Sequence, residues 1–337
     1  MVNLQRETGA GRLLATLEGP IRYALLTWAL DKDLFNCCRN PVRVEELSRS
    51  MSLPEQQLGL VLRSLVAAGF LEQSAEGFCT AGDILPFVSS DSSRNMVETL
   101  RSMAKTRLTG LDQFDALVAG RGSSGQKRLF DDAHWDASHR ALSAFHQALA
   151  AEVMATCLTG LPEWAAASDL LEVGPGSAVL SRLLLEKRPE LSITLFDLPP
   201  VAQRIEAEAD GLPVRVWPGS YTQTLPEGAF DIIWCSMSLY FHDQGLPDLI
   251  VRLSQRLKPG GVLVSFHEAL TDERTGPPEH VIGRLLPALR QGDVSFAEGE
   301  IAGAMAAAGL VRPSNTTHDT PFGRFRLDAA RKDGTHA

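Results

Sequence analysis

From Ser168 onward the chain alternates short apolar runs with amphipathic ones, and the first run, Leu170-Leu171-Glu172-Val173, breaks at Gly174-Pro175-Gly176-Ser177 directly into a helical pattern. The segments SITLFDLP, PVRVWPG, FDIIWCS and VLVSFHE follow as further strands, with SAVLSRLLLEKRP, PVAQRIEAEAD and LPDLIVRLSQRLKPGG as the helices between them. Strands alternating with helices predict an α/β domain, a parallel sheet covered on both faces. VLVSFHE closes this run, and the tail after about Asp328 reads as frayed.

Upstream the pattern is helical. Leu58, Val61, Leu62, Leu65 and Val66 fall on one face of a helix, with Gly69 as its C-terminal stop. A shorter helix, VRVEELSRSM, precedes it. GFLEQSAEGFCT after it reads as a hairpin with Phe70 and Leu71 opposite Phe78 and Cys79. Helix, turn, helix and hairpin spell a winged helix. Its second helix offers only Arg63 to a nucleic acid, and the whole chain carries a net charge of −9. Both features favour a packing or dimerisation module over DNA binding. The division expected is residues 1–90 for this module, 91–160 for a helical connector and 161–337 for the α/β domain.

The five cysteines are scattered without metal-ligand spacing, the N-terminus lacks a basic start and apolar core, and no apolar run reaches membrane-spanning length. A cytoplasmic protein with no membrane partner is expected.

The glycine turn sorts cofactors. Val179 stands where a dinucleotide fingerprint needs its third glycine, and no Gly-Lys-Ser/Thr follows for a P-loop. What remains is an acid, Glu172, ahead of a glycine-rich turn, which suits a cationic or neutral nucleoside. Asp197 ends the next strand, where a carboxylate can accept from both hydroxyls of a ribose; its alternative is a helix N-cap.

Glu172-Val173-Gly174-Pro175-Gly176-Ser177, Phe196-Asp197-Leu198-Pro199, Met237-Ser238-Leu239-Tyr240-Phe241-His242-Asp243 and Leu257-Lys258-Pro259-Gly260-Gly261 resemble the motifs of class I S-adenosylmethionine-dependent O-methyltransferases. The likeness is narrower still to the small-molecule type with an N-terminal winged-helix dimerisation domain. That resemblance implies a Rossmann-like methyltransferase sheet, S-adenosyl-L-methionine as cofactor, a small-molecule acceptor and a homodimer formed through the N-terminal domain. It places the cofactor on Glu172, Gly174, Pro175, Gly176, Asp197, Leu198, Gly219, Ser220, Tyr221, Cys235 and Ser236. His242, followed by Asp243, becomes the general base for the acceptor hydroxyl.

Three features depart from the family pattern: a second family glutamate falls near Ser295, with Asp293 the nearest acid, and the other two concern Ser220 and His267. Ser220 stands where many relatives carry an acid against the adenine. The family's glutamate at the end of the fifth strand falls on His267, with Glu268 one residue late, so alternation would turn its carboxylate to the other face. This shift leaves room for C- or N-methylation or for non-methylating chemistry on the same fold, and for a metal held by His242 and His267 with Asp243, Glu268 or Asp293. No metal is expected. Phe145, His146, Leu149, Met237, Tyr240 and His267 are expected around an acceptor of flat, apolar character.

Overall fold

The computed structural model describes residues 8–121, 132–241 and 245–334, and the chain divides into two compact units, 1–97 and 98–337. One-turn helices aside, the first unit contains α1 (Gly9–Thr16), α2 (Glu18–Asp31), α3 (Val44–Met51) and α4 (Glu55–Ala67). A hairpin of β1 (Leu71–Ser74) and β2 (Gly77–Thr80) follows. Leu58, Leu62 and Leu65 of α4 are buried with Leu34, Phe35, Leu47, Leu71 and Phe78, so the predicted apolar stripe is the core of this unit. The hairpin register differs from expectation. Leu71 pairs with Thr80 and Phe78 with Gln73, because the turn takes only the two residues between Ser74 and Gly77.

The second unit carries α5 (Val97–Leu108), whose first residue belongs to unit one, then α6 (Asp132–Phe145), a π-helical stretch over His146–Ala150 and α7 (Ala151–Thr159). The sheet is built from β3 (Asp169–Val173), β4 (Ser192–Asp197), β5 (Val214–Pro218), β6 (Phe230–Ser236), β7 (Leu257–Glu268), β8 (Val311–Thr320) and β9 (Gly323–Arg331). Between these strands lie α8 (Val179–Lys187), α9 (Pro199–Glu208), α10 (Leu246–Gln255), α11 (Pro278–Gln291) and α12 (Glu300–Ala307). The strand order is β5-β4-β3-β6-β7-β9-β8. β3 to β7 run parallel, and β9 lies antiparallel to both β7 and β8.

Each central strand feeds two cores by alternation. Leu170, Ile232, Trp234, Val262, Val264 and Phe266 pack with α7, α8 and α9 on one face. Leu171, Val173, Ile233, Cys235 and Leu263 pack with α10 and α12 on the other. Ser138–Thr159 is apolar and long enough by composition to span a membrane. Its Ala150, Ala151, Met154, Ala155 and Leu158 are instead buried in the first core.

The tail corrects the sequence reading. β9 continues past Asp328 to Arg331 with Ala329 and Ala330 buried, while β8 is an exposed edge strand. The polar text of β8, RPSNTTHDT, lacks the alternation that marks a half-buried strand.

The connector is fastened to the sheet by one carboxylate. Glu208, the last residue of α9, accepts from the Ser143 hydroxyl at 2.6 Å and from the Ala178 N–H at 3.0 Å, at the start of α8. We expect Glu208→Ala to lower stability by about 1–3 kcal/mol in urea denaturation; an unchanged midpoint and slope would contradict this bracing role.

Candidate active site

The chain leaves β3 for β4 in one direction across the sheet and β6 for β7 in the other, so strand order reverses between β3 and β6. Ligands of open α/β sheets bind outside the carboxyl ends of strands at such a switch point. Gly174 and Gly176 sit there with φ of +69° and +66°. A Cβ on Gly174 would lie 2.6 Å from Ser238 Cβ, and one on Gly176 2.3 Å from Leu142 Cδ2, so both positions require glycine. Asp197 completes the turn from β4. Its Oδ2 accepts from Gly176 N–H at 2.9 Å and its Oδ1 from Leu198 N–H at 2.7 Å. The N-cap of α9 is Leu198, with no side-chain cap, so Asp197 is not the N-cap that the sequence left open.

The other residues assigned to the cofactor gather on the same sheet edge. Gly219 N–H donates to the Asp197 carbonyl at 2.8 Å. Ser220 is buried with its hydroxyl 2.8 Å from that of Thr222. Tyr221 reaches across to donate to the Ser238 carbonyl at 2.8 Å. Cys235 pairs with Val173 in register, its thiol pushed up by burial, and the Ser236 hydroxyl meets Met154 Sδ.

Glu172 is the electrostatic anomaly. It falls on the face of β3 that Leu170 shares with the first core, it is 2% exposed, and its Oε2 has no hydrogen-bond partner among the described residues. Desolvation, with Asp197 nearby as a second cause, raises its pKa to about 8. Asp197 is raised to about 6 by the same desolvation, against the two N–H groups it accepts from. Two acids held this way fit a ligand that brings positive charge and hydroxyl donors.

Leu142, which closes on Gly176, also lines a cavity of about 500 Å³, within the size range of small-molecule sites. Phe145, Met237 and Tyr240 line it as expected. His146, Leu149 and His267 do not, which corrects the acceptor list. His146 is buried with Nδ1 2.7 Å from the Ser177 hydroxyl, and burial together with His139 lowers its pKa to about 4. Leu149 belongs to the π-helical stretch. His267 Nε2 accepts from the N–H groups of Ser238 and Leu239 at 3.0 and 3.1 Å, so its proton sits on Nδ1, 2.8 Å from the Ser265 hydroxyl. Burial lowers its pKa to about 3. Its work is to hold the loop in which Met237 takes a left-handed φ of 50°.

The same alternation corrects Glu268. It continues the Val262, Val264, Phe266 series, lines the cavity, accepts from the Tyr240 hydroxyl and pairs with Arg284 of α11. The Arg284 guanidinium lies 4.7 Å from the centre of the Tyr240 ring. With His267 and Glu268 so engaged, three residues of the metal alternative remain: His242, Asp243 and Asp293. Asp293 is bound to Arg274 at 2.7 Å. The general-base pair His242 and Asp243 lies outside the described residues.

Sequence reasoning missed Leu142, Glu208 and His139, whose Nδ1–H meets the Gly176 carbonyl at 3.2 Å. The helical spacing of His139, Leu142, Ser143 and His146 was the available signal.

The family described as "Methyltransferase domain" matches residues 133–310, more than half of the chain. A 2,7-dihydroxy-5-methyl-1-naphthoate 7-O-methyltransferase of Streptomyces carzinostaticus is 25% identical over 79% of this chain and 82% of its own length. A demethylspheroidene O-methyltransferase of Rhodobacter capsulatus is 35% identical, but the match covers 29% of this chain and only a quarter (25%) of that relative. Human N-acetylserotonin methyltransferase in complex with SAM superposes with a TM-score of 0.76 at 18% identity, covering 97% of this chain and 99% of the human one. The fold is that of class I methyltransferases.

Because the Glu172 carboxyl is raised in the folded protein, folding takes up a proton between about pH 4.5 and 8, and stability falls as pH rises through that window. Glu172→Gln therefore stabilises the ligand-free protein by about 1–3 kcal/mol near pH 8.5 and has little effect near pH 5. Chemical denaturation at the two pH values measures the difference, and a gain independent of pH would contradict it.

Proposed function

The chain belongs to the methyltransferase-domain family, and we propose that it uses S-adenosyl-L-methionine to methylate a hydroxyl of a small, flat natural-product acceptor. One observation carries this reading. The buried Glu172 carboxyl with its unpartnered Oε2, the glycine turn and Asp197 meet at the switch point, and Leu142 joins that turn to the cavity. When bound, S-adenosyl-L-methionine supplies a methyl group activated on a sulfonium.

The chain's own residues divide the remaining work. Gly174 and Gly176 bring backbone within reach of the ligand, and Glu172 offers a buried negative charge to its cationic part. Asp197 spends two lone pairs on backbone N–H groups and keeps others for the ribose hydroxyls. Ser220 and Tyr221 flank the adenine end, with Gly219 and Cys235 beside them. Phe145, Met237 and Tyr240 exclude water and hold the acceptor, which supplies the proximity an in-line displacement needs. His242, oriented by Asp243, takes the hydroxyl proton as that oxygen attacks. The alternative of non-methylating chemistry rested on two displaced carboxylates, of which Glu268 pairs with Arg284 and Tyr240 and Asp293 with Arg274.

The homodimer belongs to this proposal too. Leu13, Leu14, Leu17 and Ile21, on or beside α1 and α2, are each more than 60% exposed, an apolar stripe suited to a second copy of the chain.

Calorimetry with S-adenosylhomocysteine should give micromolar binding, weakened at least tenfold by Asp197→Ala. No heat with the wild type would sink the reading. With 2,7-dihydroxynaphthalene as probe acceptor, His242→Ala should abolish methyl transfer and leave S-adenosylhomocysteine affinity intact; undiminished turnover would remove the base role.

A further inference from the structure

Along α11 one stripe faces the cavity: His280, Gly283, Arg284, Pro287, Ala288 and Gln291. His280 stands apart in it, because it is 7% exposed and the mechanism above makes no use of it. Its Nε2 lies 2.8 Å from the Arg324 carbonyl, which can only accept, so Nε2 carries the hydrogen. In the neutral imidazole this leaves Nδ1 as a hydrogen-bond acceptor. No described residue bonds Nδ1, and Nδ1 is not among the sealed, partnerless atoms of the interior. The free volume His280 adjoins is the cavity.

The ring is also held in place. A Cβ on Gly323 would lie 2.6 Å from His280 Cε1 and 3.0 Å from Nε2, so the imidazole fills a notch that only glycine leaves. Phe325 packs edge-on at 5.6 Å between ring centroids. A fixed acceptor atom in the wall of a cavity that Met103, Leu142, Phe145, Phe322 and Phe325 also line discriminates between ligands with and without a matching donor.

Resting on the methyltransferase reading, we infer that His280 Nδ1 accepts a hydrogen bond from a second donor on the acceptor. The acceptor is then a flat ring system bearing at least two hydroxyl or N–H groups, one methylated and one read by His280. Arg284 is already paired with Glu268, and the neighbouring Glu279 carboxylate accepts from the Arg324 N–H at 3.3 Å, which leaves the imidazole Nδ1 as the uncommitted acceptor at this end of α11.

The test uses the full chain saturated with S-adenosylhomocysteine and two probes, 2,7-dihydroxynaphthalene and 2-naphthol, which differ by one hydroxyl. The wild type should bind the diol at least about tenfold more tightly. His280→Gln keeps an N–H for the Arg324 carbonyl and loses the Nδ1 lone pair; it should bring the ratio to about one, with 2-naphthol and S-adenosylhomocysteine affinities unchanged. His280→Asn keeps an acceptor at the δ position, gives up the Arg324 bond, and should retain a ratio of about fivefold. A wild-type ratio near one, binding of neither probe, a ratio that survives His280→Gln, or one that collapses in His280→Asn while S-adenosylhomocysteine still binds would each overturn the inference. Failure of the wild type to bind S-adenosylhomocysteine would overturn the methyltransferase reading beneath it.

Discussion

The site depends on one backbone turn, Gly174-Pro175-Gly176, being held sharply open at the end of β3. Four groups from distant parts of the chain converge on it. Asp197 accepts its N–H, His139 meets its carbonyl, Leu142 covers the Gly176 Cα, and Glu208 takes the N–H of Ala178 two residues on. The turn therefore fixes how β4, α6 and α9 assemble around β3. The glycine turn and the cavity meet because Leu142 belongs to both.

Electrostatics at this turn run against folding. Glu172 occupies a strand position that alternation gives to an apolar side chain, and its carboxyl stays protonated near neutral pH instead of paying full desolvation as an anion. Such a group weakens the ligand-free protein and strengthens the bound one, as expected where a site is organised for a charge the fold itself does not supply. The π-helical stretch over His146–Ala150 lies on the same helix that covers the turn, a wide segment of the kind that often marks functional sites.

Much of this was legible in the sequence, for identifiable reasons. β3, β4, β6 and β7 are buried on both faces and announce themselves as apolar runs, and the glycine turn with its trailing acid is a local motif. β8 was invisible because an exposed edge strand carries no apolar signature. The hairpin register depended on turn length, which composition does not fix. Glu268 and His267 were exchanged in role because which face of β7 meets the cavity is a tertiary fact; only their opposition was readable. Glu208 and His280 owe their meaning to partners 30 and 44 residues away in the chain.

On the proposed function, the buried acid at the switch point takes the positive charge of its ligand. Titrating S-adenosyl-L-methionine into the protein near pH 7, in buffers of differing ionisation enthalpy, counts the protons exchanged on binding. Release of up to about one proton by the wild type, lost in Glu172→Gln, is expected. Binding with no proton release by the wild type, or release that persists without Glu172, would contradict it.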